Sequence, residues 1–441
     1  MSNYKRFFAL AKEKGITEAE LYISKDSSLS MGVFQGEMES MKASTDISVV
    51  ARGVYNGKFG QATTSVFTKE KIPYLIDAII ANAKVIEKEE IASLFKGSEK
   101  YKKVNTFNKE LALVLTEKKK ADLFKLEKEI LSLDNRIIQA ANIQYQESDS
   151  ELIILNSHGL KLKQKNNSFV FVGVAVAKEG NEIKTNFDLF LENDYSKFDV
   201  KDLSKKIVDG AIEKLGGVPI ESQKMKVVLS PDVVASLTNI YVDSADAERV
   251  QKHSSLFEGK LNTKVASSKV TITEKPLAKT LYARSFDDEG VATYNKDIIK
   301  KGILTTYLYN LETAEKDHTT TTGNGYKAGG KIGSDVAALF IKPGNKNQEE
   351  LFEMVGEGIY ITELEGLHAG INAVSGNFSL KAEGFLIKDG KKDHPVALIT
   401  VSGNLLKLFQ DVIAVGSDAK MQLGGVSAPS FVIRKLSISG K

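Results

Sequence analysis

The chain contains no cysteine, which excludes a disulfide framework and any thiolate metal ligand. Histidine is scarce as well: five stand at positions 158, 253, 318, 368 and 394, and the closest two, His368 and His394, lie 26 residues apart. A helix-borne His-Glu-x-x-His metal site needs two histidines one turn apart on one face, so it is excluded. No apolar run approaches a bilayer span; Phe169 to Ala177 and Val396 to Val401 are strand-sized. There is no Gly-x-Ser-x-Gly elbow either, and Ser375 and Ser402 each precede Gly-Asn with no histidine adjacent.

Charge of one sign is also missing. The formal net charge is +3 over 441 residues, and lysine is interleaved with acids, as in Glu117-Lys-Lys-Lys-Ala-Asp122. Such runs form solvated helix faces. No run joins basic residues to aromatics at base-stacking spacing, so nucleic-acid binding is not expected. The first residues, Met1 to Phe8, enter an amphipathic pattern without an apolar signal core. Together with the lack of cysteine, this predicts a cytoplasmic location.

What is present is an ordinary globular composition, 42% hydrophobic and 27% charged, at a length that suits two or three domains. Periodicity predicts helices over 3–14, 69–86, 116–133 and 200–215. Strands are expected around Glu20 to Phe34 and from Ile47 to Asn56-Gly57, a type I′ hairpin signal. Between Arg136 and Leu191 a strand meander is expected, turning at 147–150, 156–159, 166–167 and 179–181. Its connections are too short to cross over, so it should be antiparallel. Gly216-Gly217 stops the last helix. The expected division is residues 1–220, with a sub-boundary near 110, and 221–441.

The second part opens on a buried strand, Met225 to Leu229. Ser230-Pro231 then reads as an N-cap with proline in the first turn of an internal helix reaching Val242. Glycine-rich short strands follow at 270–272, 303–309, 337–341, 358–362, 378–387, 396–402 and 431–437, with one clear helix at 347–354. No repeat of 20 to 50 residues is visible. The fold class is α+β: an N-terminal α/β domain with an antiparallel sheet and helices, then a glycine-rich, mostly-β domain with few helices. That second domain is read either as a barrel-like sheet or as two packed sheets.

Individual motifs are weak. His368, within Gly366-Leu-His-Ala-Gly370 between two strands, is the most site-like histidine, although a structural role explains it more simply. Gly325-Tyr-Lys-Ala-Gly-Gly-Lys331 has phosphate-loop spacing, but Ile332 follows where a hydroxyl would hold Mg²⁺. Asp287-Asp288-Glu289 suits a cation, yet an acidic tight turn accounts for it at lower cost.

Taken in order, several stretches resemble the TldD/PmbA family. They are Ser255-Leu-Phe-Glu-Gly259 leading to Val265-Ala-Ser267, then Gly302 to Tyr309, then Thr322-Gly-Asn-Gly325. Val374-Ser-Gly-Asn-Phe378, Glu383-Gly-Phe-Leu-Ile387 and Val401-Ser-Gly-Asn404 follow. The Phe34-Gln-Gly36 strand and the Arg52-Gly-Val-Tyr-Asn-Gly57 hairpin extend the likeness into the first half. The resemblance implies a zinc-peptidase framework in which active members carry His-Glu-x-x-x-His on a helix and a later cysteine. Counted back without gaps from Ser255, the two histidines correspond to Thr238 and Asp243, and the general-base glutamate to Asn239. The cysteine region corresponds to Lys420 to Gly425, with Leu423 as the counterpart.

Those replacements resemble the PmbA (TldE) branch, which implies a chain without metal or catalytic residues of its own, paired with a TldD-like zinc subunit. A homodimer is implied when that partner is absent. Peptides are the implied substrate, reached through an enclosed cavity with Gly323, Gly325, His368, Ala369 and Gly370 as candidate lining. Two other readings remain open. One is a metallopeptidase in its own right, using His368, Asp243 and a third group. The other is a non-proteolytic modulator, in line with the family's older description as a modulator of DNA gyrase.

Overall fold

The computed structural model describes residues 2–86, 93–328 and 331–441. Its first half is built as helix, three strands, helix, and then the same again. The first unit is α1 (Asn3–Glu13), β1 (Glu18–Phe34), β2 (Glu37–Tyr55), β3 (Lys58–Thr64) and α2 (Lys71–Lys84). The second is α3 (Thr116–Ser132), β4 (Ile137–Asn156), β5 (Lys161–Glu179), β6 (Glu182–Glu192) and α4 (Val200–Ile212). All six strands form one antiparallel sheet in the order β3-β2-β1-β4-β5-β6, so the β1–β4 ladder joins the two units at its centre. α1 begins at residue 3 and α3 at residue 116, a spacing well beyond the repeat lengths legible in the sequence.

Alternation along β1 decides which face is covered. Its odd-numbered residues, such as Leu21, Ile23, Met31 and Val33, are buried under the helices. α1 and α2 contribute Phe7, Ile72, Leu75, Ile76 and Ile79 to one core cluster. α3 and α4 contribute Leu123, Leu126, Ile130 and Ile207 to the other, against Tyr145, Phe169 and Phe171. Helix α2 lies so close to β3 that a Cβ on Gly60 would stand 1.8 Å from the Ile79 carbonyl oxygen, so glycine is required there.

Asn56 and Gly57 both have positive φ, 50° and 77°, as the type I′ signal predicts. Gln35-Gly36, expected within a strand, is a second turn of this kind, with φ of 54° and 77°. The turns expected at 147–150 and 166–167 are absent, because β4 and β5 run straight through with Asp149 opposite Asn167 and Ser150 opposite Asn166. The polar residues there serve sideways contacts, such as Ser148 to Ser168 at 3.1 Å, and line a cavity on the other face.

The second half starts with β7 (Gln223–Leu229) and α5 (Pro231–Val242). β7 sits between strands 358–365 and 431–439, pairing parallel to the first and antiparallel to the second. Strands 377–388 and 391–404 continue the sheet, and Thr400 to Ser402 pair with Ser437 to Ser439. That last ladder closes the ring, so the barrel-like alternative describes this sheet. A second, mixed sheet packs beside it, built on strands 272–274, 296–300, 339–341 and 426–428. Helix 348–355 is as expected and carries a capping box from Asn347. Short helices at 311–316, 367–370 and 405–410 were not legible, since one or two turns leave no periodic run. The strand expected over 303–309 is confined to Ile303–Leu304. Among the described residues no helix is long and apolar enough to cross a membrane.

The Ser230 hydroxyl caps α5 by accepting from the Val233 N–H. Ser230→Ala should lower the free energy of unfolding by about 1 kcal/mol, read from the urea midpoint. A value near zero would show that packing alone holds this end.

Candidate functional site

Helix α5 is internal because its apolar residues, Val233, Val234, Leu237 and Tyr241, are all buried in the large second-half core. This fixes the three positions that the resemblance sets against the metal-helix residues, Thr238, Asn239 and Asp243. Thr238 is fully buried, and its Oγ1 has no hydrogen-bond partner among the described residues. Asn239 is half-buried and faces the 422–425 turn, where a Cβ on Gly424 would lie 3.2 Å from the Asn239 Nδ2. Asp243 ends the helix and is held by the Arg249 guanidinium at 2.7 Å. Partial burial raises the Asp243 carboxyl above the usual range despite that arginine.

The structure therefore brings α5 and the 422–425 turn together. Leu423, however, is 62% exposed and offers no ligating atom. A catalytic zinc takes three N, S or carboxylate ligands and an open position for water. A buried hydroxyl, a neutral amide, a carboxylate already paired with arginine and a leucine do not fit that group. Asn239 has no titratable group to take a proton from water. Among the described residues, no group of three or more His, Cys, Asp or Glu side chains is arranged to hold a metal.

A cavity of about 550 Å³ lies between the sheet of the first half and the second half. Even-numbered residues of β1, Tyr22, Ser24 and Asp26, form its floor together with Ser150, Gln164 and Asn166. Arg284, Tyr326, Lys327 and Asp335 form the opposite wall. Tyr282 links the two places, since it lines the cavity and its ring lies 3.2 Å from where a Cβ on Gly425 would stand.

The cavity wall is held by the acidic turn at 287–289. Asp287 is fully buried, and its carboxylate accepts from the backbone N–H groups of Glu289, Val291 and Gly325 at 2.9 to 3.0 Å. Asp288 accepts from Arg284 at 2.6 Å, from the Tyr22 hydroxyl at 3.1 Å and from the Lys327 N–H at 2.7 Å. Burial and the nearby Glu289 push Asp287 up to about 8, and burial pushes Glu289 up to about 7. Phe286 anchors the turn in a small apolar cluster with Ile154, Leu160 and Leu162 of the first half. The tight-turn reading of 287–289 thus holds, but the turn is buried and joins the two halves.

Gly323 and Gly325 pack on this same turn. A Cβ on Gly325 would lie 2.3 Å from a Glu289 carboxylate oxygen, and one on Gly323 2.9 Å from the Ala292 carbonyl. Gly329 and Gly330 of the phosphate-loop-like stretch lie outside the described residues. Lys331 pairs with Glu248 at 2.6 Å from a β-hairpin. His368 and Ala369 are exposed on the one-turn helix 367–370, and Gly370 packs on the Ser379 carbonyl; none of the three lines the cavity. The structure packs Gly323 on Ala292 and Gly325 on Glu289, and neither these two nor residues 368–370 are among those that line the cavity.

Three family models match the chain end to end: PmbA/TldA metallopeptidase domain 1 over residues 19–83, the central domain over 109–215 and the C-terminal domain over 222–440. The chain belongs to the PmbA/TldD family. It is 27% identical over 433 residues to a metalloprotease PmbA homolog of Buchnera aphidicola, covering 96% of this chain and 93% of that protein. It is 24% identical to a metalloprotease PmbA homolog of Haemophilus influenzae, covering 98% and 94%. Among solved structures, a candidate modulator of a DNA gyrase from Thermotoga maritima superposes with a TM-score of 0.92 at 28% identity, covering 99% of each chain. TldE from Thermococcus kodakarensis shares the fold, with a TM-score of 0.91 at 23% identity over 100% of each chain. The relatives that carry the word metalloprotease in their names are therefore relatives of a PmbA/TldD chain whose own α5 presents threonine, asparagine and aspartate.

Proposed function

We propose that this chain is the zinc-less subunit of a cytoplasmic two-subunit metallopeptidase that processes small unfolded peptides, with zinc held by a TldD-like partner. The observation that carries this reading is the α5 donor set, in which Thr238 is buried and inert, Asn239 cannot titrate and Asp243 is committed to Arg249. The likeness to a solved TldE supports the same branch. In such a pair, a subunit without metal contributes walls and binding surface to the chamber, and the cavity between the two halves of this chain would supply part of both.

The test is co-purification with the TldD-like protein of the same genome, followed by zinc analysis of the complex and of this chain alone. Zinc in the complex, with none in the chain alone, is expected. Stoichiometric zinc in the isolated chain would defeat the proposal and revive the reading of a metallopeptidase in its own right. Failure to form any complex would leave a lone binding protein and defeat it equally.

A further inference from the structure

The cavity between the two halves carries charges of both signs, and its walls answer them unequally. Two of its carboxylates are satisfied. Glu151 is held by Lys25, Lys163 and Lys165 at 2.7 to 3.3 Å. Asp288 spends one oxygen on Arg284 and the Tyr22 hydroxyl, and the other on the Lys327 N–H. The cations opposite are not used up in return. Among the described residues, Arg284 gives one of its five N–H groups to Asp288 and none to any other acceptor.

Lys327 is the unanswered charge. Its Nζ lies 4.5 Å from the centre of the Tyr22 ring, and among the described residues no carboxylate or other acceptor reaches it. Burial, reinforced by Arg52, lowers the Lys327 ammonium from the usual lysine value, and Asp288 and Glu20 raise it by less. Tyr326 is the third donor. It is buried in the same wall, the Arg284 guanidinium lies 4.9 Å from the centre of its ring, and its hydroxyl has no hydrogen-bond partner among the described residues. A buried hydroxyl left without a partner is destabilising, so walls rarely carry one unless something meets it. Three donors on one wall thus lack acceptors, and two of them are cationic.

We infer that this wall binds a small organic acid with a single carboxylate, which Arg284 and Lys327 grip and the Tyr326 hydroxyl meets as a donor. The arginine fork suits the two oxygens of a carboxylate, and the lysine adds a point charge. One negative charge is the limit. Asp26 and Asp335 line the same cavity, and among the described residues no cation pairs with either, so both oppose a second charge. A phosphate, with about 1.5 to 2 charges at neutral pH, is disfavoured for that reason. Ser24, Ser150 and Asn166 on the floor are polar, so the body of the acid is hydroxylated rather than apolar. At about 550 Å³ the space is in the range of small-molecule sites. This inference goes beyond the zinc-subunit reading and does not need it, because every group named belongs to this chain.

The experiment is calorimetric titration of the isolated full chain with D-gluconate, acetate and inorganic phosphate. Gluconate should bind with a Kd of about 1 mM or tighter, and both other probes more weakly. Lys327→Met should weaken gluconate about tenfold or more, the loss of one charge-assisted contact. Its ligand-free unfolding curve should superpose on wild type, because the side chain has no ion pair to lose. Tyr326→Phe should also weaken gluconate, by about threefold or more, without lowering the ligand-free unfolding midpoint, since the hydroxyl has no partner there. Lys331→Met, on the same hairpin but paired with Glu248 away from the cavity, should bind as wild type. No binding of gluconate up to roughly 10 mM overturns the inference. So does phosphate bound as tightly as gluconate, or gluconate binding that Lys327→Met and Tyr326→Phe leave unchanged.

Discussion

Replacing Asp287 with alanine is expected to lower the stability of the chain by about 4 kcal/mol, because three buried backbone N–H groups lose their acceptor at once. Each orphaned donor costs on the order of 1–3 kcal/mol, and some of that is recovered if water enters. Asp287→Asn keeps one oxygen for Glu289 and Val291 but turns an amide toward the Gly325 N–H, so an intermediate loss is expected. The pair also tests the proton. Burial and Glu289 outweigh the three N–H donors and hold the folded-state value near 8, above the ordinary carboxyl value that the unfolded chain returns to. Between those two values the folded chain binds a proton that the unfolded chain releases, so stability from this group is full at low pH and falls as pH rises through 8. Glu289, up to about 7, adds to the same slope. Urea midpoints at pH 5 and pH 8 should therefore drop for wild type and drop less for Asp287→Asn. Equal drops would mean that Asp287 is ionised throughout.

That turn shows what the sequence carried and what it withheld. Local rules placed α5 to the residue, since Ser230-Pro231 and the apolar run to Val242 hold all the information needed. They placed the Asn56-Gly57 hairpin for the same reason. They failed where polar residues sit inside long strands, as at Ser148 to Ser150. There the partner that satisfies them lies across a ladder or a cavity, not next in sequence. Asp287-Asp288-Glu289 read as an acidic tight turn, and its burial had no local mark because the Gly325, Lys327 and Leu311 N–H groups that help to satisfy it come from afar. The Tyr22 hydroxyl that reaches Asp288 is 266 residues away. One signal was available: Phe286 precedes the acids directly, and an apolar residue abutting three carboxyls hints at a buried turn. The candidate metal positions were legible only through family spacing. The contact of Asn239 with the Gly424 turn, which joins residues 238–243 to 420–425 in space, has no local mark.

The second large effect is expected at Lys296. This cation is nearly buried between the Glu274 carboxylate at 2.6 Å and the Asn324 side-chain oxygen at 3.0 Å. Glu274 is fully buried and also accepts from Asn324 at 2.9 Å and from the Ala337 N–H at 2.9 Å. Lys296→Met leaves that carboxylate without its counter-charge, a loss of about 3–5 kcal/mol when one partner of a buried pair is removed. The pair itself contributes far less than this, because both ions were desolvated to form it. Adding Glu274→Gln to Lys296→Met should therefore restore most of the stability, since the amide keeps an oxygen for the Ala337 N–H. The double-mutant cycle measures the coupling directly, and a double mutant no more stable than Lys296→Met would show that the lysine's packing matters and its charge does not. The consequence for function follows from position. Asn324 also donates to the Asp335 carbonyl at 2.7 Å, and Asp335 and Ala337 both line the cavity between the two halves. In the proposed complex with a zinc subunit, Lys296→Met should raise KM for a peptide substrate more than it lowers kcat, because it loosens a wall and touches no reacting group. A fall confined to kcat would place this network closer to the chemistry than its geometry does.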